Sequence, residues 1–128
     1  ITYNSTNSQY KINKYDTLNK TNIKIFEDSS QISSPLVLSD ESKLFFHSED
    51  GNIYSLNSDG TGLKSLTDSG GISSFSLTLS PDETKMAFRY NNNIYYINLD
   101  NTYPKSKNDY EKIVLEKYHE NPQEPHWF

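Results

Sequence analysis

Residues 77–99, LTLSPDETKMAFRYNNNIYYINL, decide how this chain is read. They spell strand, tight turn, strand, short loop, strand. Leu77 and Leu79 flank Thr78 in a run that is apolar at alternate positions. Pro81 and Asp82 supply turn chemistry: proline pre-sets φ at the second turn position, and aspartate bonds the backbone two residues on. Met86-Ala87-Phe88 is a compact apolar run. Asn91-Asn92-Asn93 ends it, because asparagine tolerates left-handed backbone. Ile94-Tyr95-Tyr96-Ile97 is β-branched and aromatic, which suits a pleated, half-buried surface.

The unit recurs upstream. Leu36-Val37-Leu38 leads into a turn at Ser39-Asp40-Glu41-Ser42, then Lys43-Leu44-Phe45-Phe46. Asp50-Gly51 separates that run from Ile53-Tyr54-Ser55-Leu56, a hairpin signal that needs positive φ. Asp59-Gly60 turns the chain before Leu63-Lys64-Ser65-Leu66. Earlier still, Ile1-Thr2-Tyr3, Tyr10-Lys11-Ile12 and Ile23-Lys24-Ile25-Phe26 read as short strands. Polar connections at 4–9 and 16–22 and a Ser-rich loop at 27–34 separate them. Phe46 and Phe88 stand 42 apart, Tyr3 and Phe46 43, Ile53 and Ile94 41. A repeat of about forty residues with four short strands is the spacing of a β-propeller blade. Solenoid repeats of similar length need paired helical periodicities, which most of the chain lacks.

One segment dissents. Residues 109–119 place Tyr110, Ile113, Val114 and Tyr118 at helical spacing, with Asp109 as a cap. The repeat instead aligns Ile113-Val114-Leu115 with the fourth strands, and the β-branched pair favours strand. Residues 101–108 are then an insertion before that strand.

With strands lettered A to D from the axis outwards, the chain reads B-C-D, A-B-C-D, A-B-C-D, A. The last A strand is Pro125-His126-Trp127-Phe128, which matches Pro35-Leu36-Val37-Leu38. The expectation is an all-β, single half-propeller domain over 1–128. Its repeats span roughly 1–34, 35–75 and 76–124, with 125–128 as a latch strand. Propellers need about four or more blades to close. Two identical chains forming a six-bladed ring satisfy that, as a homodimer of two-fold symmetry. A fragment of a longer propeller is the other reading.

Composition narrows the classes. A formal net charge of −5 speaks against a nucleic-acid backbone binder, which needs a basic face. The absence of cysteine excludes disulfides and cysteine zinc sites. No apolar run has the length of a membrane span, so no direct membrane insertion is expected. The sequence starts at Ile1 and its methionine is Met86, which reads as a removed initiator end and leaves the compartment open.

Chemistry is sparse. There is no Gly-rich phosphate loop, no H-E-x-x-H and no G-x-S-x-G. His47, His119 and His126 lie far apart, so a zinc site from them needs the fold to gather them. Glu49-Asp50-Gly51-Asn52 and Asp59-Gly60 offer too few oxygens for calcium, and hairpin turns explain them better. Gly70-Gly71 reads as a flexible connection. No catalytic residues, metal or cofactor are expected. By the repeat, Asn4, His47 and Arg89 occupy one equivalent position just after strand B. Tyr90 and Asn91 follow Arg89, and His119 falls in a D–A loop. This loop face can hydrogen-bond a peptide or a sugar, and Trp127 reads as packing between blades.

Ser80-Pro81-Asp82 before an apolar strand, Asn93-Ile94-Tyr95 in the next, the Asp59-Gly60-Thr61-Gly62 turn and Leu66-Thr67 together resemble the TolB-like propeller repeat. Pro125-His126-Trp127 resembles the lead into such a repeat. The chain departs from the pattern in places. Glu83 stands where the family usually has glycine, Ser39-Asp40-Glu41 lacks the proline, and Asp100-Asn101 replaces an Asp-Gly turn. A complete repeat pattern without a catalytic constellation leads to the expectation of a non-catalytic binding or scaffold module with a protein or peptide partner. The resemblance implies envelope protein interactions and an extracytoplasmic or cell-envelope location. A carbohydrate-binding propeller, or the propeller portion of a peptidase or glycan-active hydrolase, is the alternative.

Overall fold

In the computed structural model, residues 2–6, 11–27, 32–33, 35–73 and 77–113 are described, with backbone only for 2–6. The architecture is all-β. Strands β1 (Thr2–Thr6), β2 (Lys11–Asp16) and β3 (Thr21–Glu27) form an antiparallel sheet in chain order. Strands β4 (Leu36–Val37), β5 (Lys43–His47), β6 (Ile53–Asn57) and β7 (Lys64–Ser65) form a second. Strands β8 (Thr78–Leu79), β9 (Lys85–Tyr90), β10 (Asn93–Asn98) and β11 (Glu111–Lys112) form a third. A single 3₁₀ turn, Lys107–Asp109, precedes β11.

At the centre of the middle sheet β5 is buried on both faces, which explains its run of consecutive buried residues. Leu44 and Phe46 of β5 pack with Ile12, Ile32 and Leu56 in one cluster. Phe45, between them, points the other way and packs with Ile53, Leu66, Ile72, Met86, Phe88, Ile97 and Tyr110. Successive side chains of a strand face opposite sides, so one five-residue strand anchors two cores. Burying Phe88, Met86 and Ile97 almost completely stabilises the second core by about 2 kcal/mol per side chain.

The turns follow one design. Asp16, Asp40, Asp50, Asp59, Asp82 and Asp100 each accept a hydrogen bond from the backbone N–H two residues on, at 2.8 to 3.1 Å. These carboxylates replace backbone partners that a reversing chain cannot supply. Glu41 and Glu83, at the same place in the β4–β5 and β8–β9 turns, both carry φ of 59°. Both positions thus adopt a left-handed conformation, which glycine meets at no steric cost, with a glutamate in its place.

Several boundaries move. β1 continues to Thr6, so the loop expected at 4–9 starts later and Asn4 sits inside the strand, opposite Asn13. The expected connection at 16–22 shrinks to residues 17–20, because the polar residues flanking it still pair. The fourth strand of the third sheet starts two residues earlier than expected, at Glu111–Lys112, and of the expected 113–115 the residues 114–115 lie outside the described residues. Tyr110, 7% exposed in the core, immediately precedes the strand. The first of the three expected residues, Ile113, still donates its N–H to the Ile94 carbonyl at 2.8 Å. The latch strand at 125–128 lies outside the described residues.

Candidate binding face

The β5–β6 turn, the β9–β10 turn and the loop between β7 and β8 converge at one end of the sheets. The loop is the organiser. Thr67, fully buried, accepts the Ile53 N–H at 3.0 Å through Oγ1 and donates to Asn52 Oδ1 at 3.0 Å. Asn52 Oδ1 also accepts the Gly70 N–H at 2.8 Å. Gly51 has φ of 83°, and a Cβ there would lie 2.3 Å from the Gly71 nitrogen. The Gly70-Gly71 pair is thus a close-packed contact between backbones, where the sequence suggested a flexible connection.

Ile72 continues this loop and joins two sheets. Its N–H donates to the Gly51 carbonyl at 3.0 Å, and it bridges Tyr90 of β9 in antiparallel fashion. Ser73 N–H then donates to the Arg89 carbonyl at 3.0 Å. The same device appears one repeat earlier, where Ile32 bridges Ser48 and Ser33 N–H donates to the His47 carbonyl at 2.9 Å. The Ile-Ser pair at both positions is the sequence signal that marks this strap.

His47 is 8% exposed, and its Nε2–H donates to the Ile72 carbonyl. A carbonyl only accepts, so this contact fixes the proton on Nε2 of the neutral ring. Burial also pushes the imidazole below its ordinary value, against the smaller opposing effects of that bond and of Asp50. Within this structure His47 is a fastening between loop and sheet, turned away from solvent.

Arg89, Tyr90 and Asn91 are contiguous at the β9–β10 hairpin. Asn91 and Asn92 have φ of 50° and 63°, so both central turn residues are left-handed, as a two-residue hairpin requires. Arg89 Nη2 donates to Asn92 Oδ1 at 3.3 Å. The Tyr90 ring meets Tyr110 edge-on at 5.5 Å and Tyr95 at 5.9 Å. Ser69 Oγ donates to the Gly70 carbonyl, which leaves the Tyr110 hydroxyl to donate to Ser69 Oγ at 2.7 Å. Burial raises the Tyr110 pKa, so this hydroxyl stays protonated and available as a donor.

Of the residues expected to share the face, Arg89, Tyr90 and Asn91 stand together, and His47 reaches them through Ile72. Asn4 lies in β1 of the first sheet, as His47 and Arg89 lie in the second and third, and His119 lies outside the described residues. Tyr110, Asn52 and Thr67 were missed. Only the fold brings Tyr110 beside Tyr90, and no local pattern marks it. Among the described residues no group of three or more His, Cys, Asp and Glu side chains is placed to hold a metal ion, and no helix is long and apolar enough to cross a membrane. The face offers hydroxyl, amide and guanidinium groups on a rigid aromatic base, which suits hydrogen-bonded recognition.

No protein-family model and no curated protein matches the chain. Among solved structures it is similar to the crystal structure of the tricorn protease, a propeller-containing protein, with a TM-score of 0.60 and 24% identity. The match covers 86% of this chain and 10% of that one, so this chain spans a tenth of the length of that protein. A likeness at this identity bears on fold alone.

Proposed function

We propose that the three sheets are consecutive propeller blades of TolB-like repeats, and that the chain is a non-catalytic module binding a protein or peptide through the loop face. The Ile-Ser strap carries this reading. It occurs twice, before the second and before the third sheet, and fixes both inter-sheet loops, which favours a rigid display with little ordering cost on binding. In this reading the chain is a half-propeller that two copies complete as a six-bladed ring.

The test is a displayed random-peptide library panned on the immobilised chain. Enriched peptides are expected to lose affinity at least about tenfold in Arg89→Ala and in Tyr90→Ala, the loss of one well-placed contact. Absence of enrichment, or peptides indifferent to both changes, defeats the reading. A second reading is the propeller portion of a longer hydrolase. Turnover of a fluorogenic peptide or glycan by a longer parent chain would support it.

A further inference from the structure

The first sheet ends at β3, and β3 differs from the other outer strands. It is seven residues long, whereas β7 and β11 are two residues each. A strand paired on one side leaves alternate N–H and C=O groups directed outwards, which makes it a template for another strand. The second half of this edge is obstructed. The register shift after Ile12 leaves Ile25 as the extra residue of a bulge. Gly60 of the β6–β7 turn lies so near it that a Cβ there would sit 2.1 Å from the Ile25 carbonyl oxygen. Among the described residues the open edge is therefore 21–24, all four of them exposed.

Two further observations say what fits there. The exposed large hydrophobic side chains of the described residues include Leu18, 91% exposed at the tip of the β2–β3 turn, and Ile23, 56% exposed on the edge itself. The surrounding charge is opposite to that of the chain. Lys11, Lys14, Lys20 and Lys24 stand against Asp16 and Glu27, a net +2 on a chain of net −5. Lys24 also pairs with Glu27 at 2.7 Å, an exposed contact that a stronger partner displaces at little cost. Lysines on an edge disfavour pairing of two copies through that same edge and favour an acidic strand.

We infer that the Thr21–Glu27 strand, through its open residues 21–24, takes an extended acidic peptide as an added strand. The backbone ladder supplies affinity. Apolar residues of the peptide lie beside Ile23, and alternate carboxylates meet Lys20 and Lys24. This surface is separate from the loop face, so either assignment stands or falls alone.

The probe is a fluorescein-labelled Glu-Val-Glu-Val-Glu-Val hexapeptide, titrated with the whole chain and read by fluorescence anisotropy. Saturable binding is expected, weakened by salt and by at least about tenfold in Lys20→Glu/Lys24→Glu, two surface charge contacts being reversed. Binding is also expected to disappear when alternate peptide nitrogens are methylated in one of the two registers. Hydrogen exchange of the amides at 21–24 is expected to slow when probe is added. Lys20→Glu alone, with its melting temperature checked, keeps the test valid where the double variant fails to fold. Equal binding of a Lys-Val-Lys-Val-Lys-Val peptide overturns the inference, as does binding that survives methylation in both registers, or none at millimolar probe. A chain dimer abolished by Lys20→Glu/Lys24→Glu assigns the edge to a second copy and also overturns it.

Discussion

Glu41 and Glu83 share a left-handed backbone but differ in what they hold. The Glu83 carboxylate accepts the Ser39 N–H at 2.9 Å and the Ser39 hydroxyl at 2.6 Å, tying the third sheet to the second. Glycine at 41 relieves the crowding of Cβ against the carbonyl, so Glu41→Gly is expected to stabilise the fold by about 1 kcal/mol. Glu83→Gly gains the same relief but loses the tie, and its net change is expected near zero. Urea unfolding of the two variants checks this, and equal gains would show the tie to be inert. His47 gives a pH dependence. An unfolded histidine titrates near 6.5, and burial holds the folded one lower. The unfolded chain therefore binds more protons as pH falls through 6.5, and stability present above that value is lost below it. The urea midpoint is expected to fall between pH 7 and pH 5, and His47→Gln to flatten this slope. The Asp82 carboxyl, held at about 2 by the Ser80 and Thr84 hydroxyls and the Thr84 N–H, titrates well below this window.

The β9–β10 hairpin shows how an element is specified. Six residue pairs, from Asn93 opposite Tyr90 to Asn98 opposite Lys85, are in register without a slip. The two-residue turn of Asn91 and Asn92 sets that register, and burial of Met86, Phe88, Ile94 and Ile97 enforces it. Asn92 has φ of 63°, where glycine is the better second residue. Asn92→Gly is expected to raise stability by about 0.5 kcal/mol, measured by thermal melting, and Asn92→Val to lower it by more. A melt unchanged in both variants would mean that core burial alone sets the register. β5 makes the complementary point, since its alternate residues feed two cores and leave neither face free for solvent.

At the scale of the whole molecule, each sheet joins the next through an apolar cluster, and the remaining question is closure. β1 corresponds to β5 and β9, each of which pairs with a short preceding strand, β4 or β8. The proposed ring assigns that place beside β1 to residues 125–128 of a second chain. Light scattering during size exclusion is expected to give a dimer, and deletion of 124–128 to give a monomer. A dimer unchanged by the deletion removes the latch, and a monomeric intact chain removes the two-chain ring.

The sequence by itself determined the all-β class and the strand-turn-strand order, because period-two patterning and Asp, Asn and Gly turns are local physics. It also marked the left-handed positions at Asn91 and Gly51. It placed the fourth strand of the third sheet at 113–115, whereas pairing with β10 already begins at Glu111, next to Tyr110, whose ring meets Phe88 at 5.0 Å. Only the tertiary structure decided that His47 is a buried fastening, that Gly70-Gly71 is a close contact, and that Tyr110 joins Tyr90. Each depends on a partner from another sheet or turn. Spacing along a chain carries the period of a strand, but not the neighbour it will meet.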